Sequence, residues 1–224
     1  MSKTAGLAAA FLSIGAVAAI VRLAGGSQPS PAWFEHQHVA LQIVELLLIG
    51  DLLGYAPLRF FHSRFLWKFH AIHHSAEDVD WLAATRLHPV NEIGSRIAQI
   101  VPLYLLGFRG IALAAVVPIL GFYAIMLHAN LRWDFGPLRY VIASPTFHRW
   151  HHTSQKEGLD RNFAGLFPWI DALFGTLYFP RGVQPRQFGV IGEDVPSTLL
   201  GQLAYPFRRR ARVTTSVAVD VPQC

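Results

Sequence analysis

Cysteine is almost absent: the single one among 224 residues is Cys224, the last. A disulfide framework, a cysteine-held zinc and a thiol redox pair are thereby excluded. Charge is scarce too. Charged residues make up 15% of the chain, against about a quarter in soluble domains, while apolar residues make up 52%. That balance belongs to a membrane protein. No G-x-G-x-x-G turn offers a nicotinamide or flavin site, and no haem or iron–sulfur domain is fused to the chain. Ser144 and Ser154 stand near histidines without the G-x-S-x-G elbow of a Ser-His hydrolase. No linker rich in Pro, Gly or Ser divides the sequence, so a single domain, 1–224, is expected. The net charge of +5 is not interleaved with stacking aromatics, which leaves no nucleic acid among the expected partners.

Long apolar runs are what the chain does have. Segments 5–21, 39–57, 93–108 and 111–128 approach the roughly 20 residues needed to cross a bilayer. The third carries Arg96, Gln99 and Pro102, and is open to an interfacial or re-entrant reading. The first has a short basic start and also fits a signal peptide, although no A-x-A-like site clearly follows. With four crossings, seventeen of the nineteen Lys and Arg fall on one side, and only Arg22 and Arg109 on the other. Such an excess marks the cytoplasmic side. The pattern is that of an all-α integral membrane protein with about four transmembrane helices. Both termini and a cytosolic helical cap, 58–92 and 129–207, would face the cytoplasm, with a bacterial inner membrane as the expected location. The segment 208–224 reads as a basic, mobile tail whose arginines would meet anionic headgroups or an acidic redox partner. Trp33, Trp67, Trp133 and Trp150 flank the spans, either as interfacial anchors or as core residues. The inverted repeats and broken helices of a transporter are missing.

Histidine is the other abundance, with 11 residues. Two near-copies of one phrase, His70-Ala-Ile-His73-His74 and His148-Arg-Trp-His151-His152, stand on either side of the last two apolar runs. Positions i, i+3 and i+4 of a helix share a face, so each phrase can present three imidazoles to one point. His62, His88 and His128 fall on the same expected side, whereas His36 and His38 do not. Burying so many imidazoles near a membrane without partners would cost several kcal/mol. A metal removes that cost. One four-coordinate zinc would leave half of about eight imidazoles unused, so two metals are the economical reading. Two irons could activate dioxygen against an unactivated C–H bond. Two zincs would favour hydrolysis instead. The residues alone do not choose between them. Metal-bound imidazoles commonly donate their other N–H to a carboxylate, and Asp51, Glu92, Asp134, Asp160 and Asp171 are candidates; Asp51 and Tyr55 are i and i+4 on one apolar segment.

These phrases occur in a wider order that resembles the fatty acid hydroxylase and sterol desaturase superfamily of membrane di-iron oxygenases, from about Asp51 to Phe207. The match comprises Asp51…Tyr55 with Arg59-Phe-Phe-His62, the two histidine phrases, Arg86-Leu-His88-Pro89, His128-Ala-Asn130, Asn162-Phe163-Ala164 and Asp171-Ala-Leu-Phe174-Gly175-Thr176. Tyr205-Pro206-Phe207 is similar to the bacterial branch. The resemblance implies a four-helix membrane scaffold with a di-iron centre beneath a cytosolic cap. It implies His62, His70, His73, His74, His128, His148, His151 and His152 as ligands, zinc being the possible substitute metal. Around them it implies a second layer of Asp51, Tyr55, His88, Asn130, Asn162 and Asp171. The activity implied is dioxygen-dependent hydroxylation or desaturation of a membrane lipid such as a sterol or fatty acyl chain. Electrons would come from a separate donor, a ferredoxin or a cytochrome with its reductase. One departure stands out: Leu58 occupies the place of the first histidine in the family's His-Arg-x-x-His motif. Ala164 stands where glycine is usual. Leu58 raises a competing expectation, a degenerate metal-binding or lipid-binding membrane protein without turnover.

Overall fold

The computed structural model describes residues 36–108 and 110–208. The first apolar segment, 5–21, Trp33 and the tail beyond 208 lie outside the described residues. Within them all regular structure is helical: α1 (Val39–Phe61), α2 (Trp67–His74), α3 (Pro89–Leu105), α4 (Gly110–His128), α5 (Pro145–His151), α6 (Pro168–Leu173) and α7 (Leu199–Ala204). Short 3₁₀ turns at Trp81–Thr85, Gly136–Tyr140, Lys156–Gly158 and Tyr205–Phe207 join the cap elements.

α1 has 23 residues, which at about 1.5 Å each spans the roughly 30 Å of a hydrocarbon core. It and Ile111–His128 of α4 are long and apolar enough to cross a membrane, and only 28% and 25% of their spanning windows are buried within the protein. That fraction is too small for the core helices of a soluble domain. Leu41, Val44, Leu48 and Leu52 form an exposed stripe on α1, as do Ile119, Phe122 and Ile125 on α4. A water-facing surface this apolar would be an aggregation liability, whereas lipid covers it without cost.

α1 packs against both α3 and α4 around Leu46, Leu103, Phe108, Ala112 and Val116. Most of the third apolar segment is part of a continuous helix that begins at Pro89 and ends at Leu105, and among the described helices it is not one of the two long and apolar enough to cross a membrane. Its first turns carry Glu92 and Arg96, paired at 2.9 Å, which makes it more polar than α1 and α4. Pro89 is preset for the first helical position, and the His88 ring caps the start by accepting the Val90 N–H. α5 starts the same way, with Pro145 behind Ser144, whose hydroxyl accepts the Phe147 N–H. Trp150 is not interfacial: it is 2% exposed and packs with Leu127, Ala143, Phe147 and Phe179 beneath the cap.

Candidate metal centre

α1 ends at Phe61, and the next residue, His62, enters the space between α2 and α5. α4 ends on His128 at the same level. Eight imidazoles collect there in two groups of four: His62, His70, His74 and His151, and His73, His128, His148 and His152. Within each group the nearest nitrogens all lie within 4.8 Å of one another. The two phrases divide in a crossed pattern. The i and i+4 residues of α2 enter the first group and its i+3 residue the second; in α5 the i and i+4 residues enter the second and the i+3 residue the first. His62 and His128 each supply a fourth ring.

The outer edges of four rings are fixed by acceptors. His70 Nδ1 lies 2.6 Å from Asn91 Oδ1 and His62 Nδ1 2.9 Å from Asp160 Oδ1. His151 Nδ1 faces the Arg161 carbonyl at 3.0 Å, and His128 Nδ1 faces the Ala124 carbonyl at 2.7 Å. Each acceptor holds the proton on Nδ1 and leaves the inward Nε2 with a bare lone pair. Asp160 and Asn162 take left-handed backbone, with φ of 54° and 59°, which turns the Arg161 carbonyl toward His151; Asp and Asn tolerate that conformation better than most residues.

The donor set fits cations. His74 Nε2 lies 3.1 Å from the His70 Nε2 and 3.2 Å from the His151 Nε2, and a single N–H cannot serve both. His128 Nε2 meets those of His73 at 3.2 Å, His148 at 3.0 Å and His152 at 3.2 Å, while His62 Nε2 is buried with no hydrogen-bond partner. Lone pairs converging this closely repel unless a positive centre lies between them. Burial, reinforced by the neighbouring rings, holds the imidazoles of His70, His73, His74, His148, His151 and His152 well below their ordinary pKa. They are neutral at pH 7, the state a metal requires.

The expected surrounding layer is placed differently from its sequence reading. Of the five carboxylates expected to orient imidazoles, only Asp160 does so. Asp51 accepts the backbone N–H groups of Gly165 (2.7 Å), Leu166 (3.0 Å) and Phe167 (2.7 Å), and so pins the cap to α1. Asp171 accepts from Phe163 N, Ala164 N and Thr176 Oγ1 at 2.6–2.8 Å, and Thr176 in turn accepts the Tyr55 hydroxyl at 2.8 Å. Backbone amides win these carboxylates because the irregular loop 163–167 has no other way to satisfy them. Glu92 pairs with Arg96, and Asp134 accepts from the Gly136 amide and Arg139. His88 caps α3 and reaches the Leu203 carbonyl, outside both groups. Asn162 bonds to Phe147 and Tyr178 backbone and thereby fixes the start of α5, while Asn130 is exposed. Asn91, which holds His70, was not among the sequence candidates; it stands three residues after His88 in the first turn of α3, and that place beside the Arg-x-His-Pro element is the one signal that could have pointed to it. Leu58 packs against the cluster of Tyr55, Phe163, Ala164 and Ile170, whose Phe163 ring borders His62 and His151, and both groups are four-membered without it.

Two cavities reach the rings from opposite sides. One of about 220 Å³ runs between α1, α3 and α4, lined by Leu120, Gly121, Tyr123, Leu127, Leu166 and Arg96 among others, and ends on His128 and His148. The other, about 170 Å³, opens through the cap past Trp67, Asp160 and Ile191 onto His62, His74 and His151.

Apolar helices that expose their outer faces, a helical cap and two groups of four imidazoles that could each hold a metal ion are the features of a membrane protein with a histidine-rich site. The profile of the fatty acid hydroxylase family matches residues 43–176. The chain belongs to that family. It is 30% identical over 187 residues to the ornithine lipid hydroxylase OlsE of Rhizobium tropici, covering 83% of this chain and 56% of that protein. It is 32% identical over 133 residues to the alkylglycerol monooxygenase of Danio rerio (58% and 29%), and 28% identical over 155 residues to methylsterol monooxygenase 2-2 of Arabidopsis thaliana (67% and 56%). The chain thus spans little more than half of these relatives at most. No solved structure matches it.

Proposed function

We propose that the protein is a membrane lipid hydroxylase or desaturase that uses dioxygen and two irons. The observation that carries this reading is the pair of four-imidazole groups, one of them open to a cavity within the membrane helices. The ligands are His62, His70, His74 and His151 for one metal and His73, His128, His148 and His152 for the other. Imidazole donors suit iron as well as zinc, and relatives named as a hydroxylase and monooxygenases favour iron. When bound, the irons supply the activation of dioxygen that no side chain can perform.

The chain's own residues prepare that chemistry. Asn91, Asp160 and the carbonyls of Ala124 and Arg161 hold ring tautomers and orientations. The loop 163–167, pinned by Asp51 and Asp171, ties the cap to α1. The cavity between α1, α3 and α4 admits a lipid segment from the bilayer to His128 and His148. The relatives are named for ornithine lipid, alkylglycerol and methylsterol substrates, and an amphiphilic lipid is the substrate class proposed here. Electrons come from a separate ferredoxin or cytochrome with its reductase. The cap faces the cytoplasm of a bacterial inner membrane, and four helices span it. Lipids from cells expressing the chain under ¹⁸O₂ test the activity. A product carrying one ¹⁸O atom, or lacking two hydrogens, is expected, and its absence in a His148→Ala strain. Identical lipid profiles in the two strains would contradict the proposal.

A further inference from the structure

The membrane-side cavity contains one group that its apolar lining does not explain. Arg96 lies on the second turn of α3 and lines the same cavity as His128 and His148. An ionisable side chain in such a helix is costly and defaults to a functional role. Its Nε donates to Glu92 Oε1 at 2.9 Å, and its other N–H groups have no acceptor among the described residues. Glu92 is buried and Arg96 is partly open, so the charge is offset from one side while the guanidinium fork remains available on the other. Gln99, one turn further, is occupied by the Gly50 carbonyl at 2.7 Å. Asp51, also in the lining, already holds three backbone amides. With Glu92 balancing Arg96 and the Asp51 carboxylate also in the lining, the side chains leave no surplus positive charge beside Arg96. A lipid oxygen therefore meets the guanidinium as a hydrogen-bond acceptor rather than as a counter-ion, and relieves donors that otherwise face hydrocarbon.

We infer that Arg96 is a specificity-determining residue that receives a neutral carbonyl or hydroxyl oxygen of the lipid, and that the carbon oxidised lies close to that oxygen. This deepens the proposed function and rests on it for the word oxidised. The size of the cavity sets the separation. A site of about 150 Å³ accommodates benzene, so about 220 Å³ holds roughly nine carbon-sized atoms. Arg96 and His128 bound the same small space, so the reacting carbon lies within a few bonds of the anchored oxygen and the far end of the chain remains in the bilayer.

The experiment measures equilibrium binding of radiolabelled dodecanamide, dodecanoate and tridecane to the iron-loaded protein in nanodiscs, with empty nanodiscs as background. Dodecanamide should bind about tenfold more tightly than tridecane, one charge-assisted hydrogen bond's worth; the iron attracts dodecanoate whatever stands at position 96, so only the part of its binding that depends on Arg96 is compared. The preference should vanish in Glu92→Gln/Arg96→Met, which removes both charges together and avoids stranding a buried carboxylate, and should largely persist in Arg96→Lys. Gly121→Phe should weaken all three probes, since a Cβ there meets open space and a ring would fill the cavity. An amide preference that survives the double variant, or a dodecanoate preference that the double variant abolishes, overturns the inference. Binding needs no turnover, so an intact, Arg96-dependent preference with no oxidised product would count against the proposed function alone. With a turned-over substrate, the double variant should scatter the position of oxidation along the chain; an unchanged position contradicts the inference.

Discussion

Restoring the family histidine at position 58 should not improve this protein. Leu58 is half-buried against the cluster of Tyr55, Phe163, Ala164 and Ile170, and the two imidazole groups are four-membered without it. In Leu58→His, losing about half of a leucine's burial costs about 1 kcal/mol. Placing a ring N–H among apolar neighbours costs about 1 kcal/mol more, the low end of the range because the site is only half-buried. A total of about 2 kcal/mol lowers the thermal midpoint of a chain of this size by roughly 4–8 °C. The assay is thermal unfolding in mild detergent, followed by size-exclusion chromatography, with metal content measured on the same samples. Two metals per chain are expected in both proteins, with the lower midpoint in the variant. A rise in metal content or lipid oxidation, or an unchanged midpoint, would refute the placement of Leu58 and revive the degenerate-centre expectation.

Four further outcomes follow from the geometry. His73→Ala and His74→Ala, adjacent in sequence but in different groups, should each lose one metal of two and leave different spectra; identical spectra would contradict the division of the rings. Asp51→Asn leaves one oxygen for the three amides of the 165–167 loop and turns an amide donor toward the rest, so it should cost about 2–4 kcal/mol in unfolding; a loss below about 1 kcal/mol would show that the clamp carries little. Thr176→Val breaks the link from Tyr55 to Asp171 and should cost about 1–3 kcal/mol, read by the same assay. In metal-free protein the six imidazoles depressed by burial bind fewer protons folded than unfolded, so stability is present above their ordinary value of 6.5 and is lost as pH falls below it. Denaturation midpoints that stay level from pH 8 to pH 5.5 would contradict that burial.

The helical class and the histidine centre were legible because their signals are local. An i, i+3, i+4 spacing fixes a shared face whatever surrounds it, and runs of apolar residues report a lipid environment directly. How the rings of each phrase divide between two groups was not legible, since it depends on the angle at which α2 meets α5. The carboxylates were misread for a related reason. Asp51 and Asp171 look like ring-orienting groups in sequence, yet their partners are amides of a loop more than a hundred residues from Asp51 in one case and seven or eight from Asp171 in the other. Asn91 and the carbonyls of Ala124 and Arg161 take the ring-orienting role, and backbone carbonyls leave no trace in a sequence. At position 58 the sequence shows a missing imidazole but not that two groups of four are complete without it, since their completeness depends on how four helices meet.

The most direct measurement is metal content per chain with Mössbauer spectra, on protein made in iron-57 medium and purified without chelators or a histidine tag. Two irons per chain, both high-spin and bound mainly by nitrogen, are predicted. One weakly held metal, zinc in both positions, or none would contradict the account.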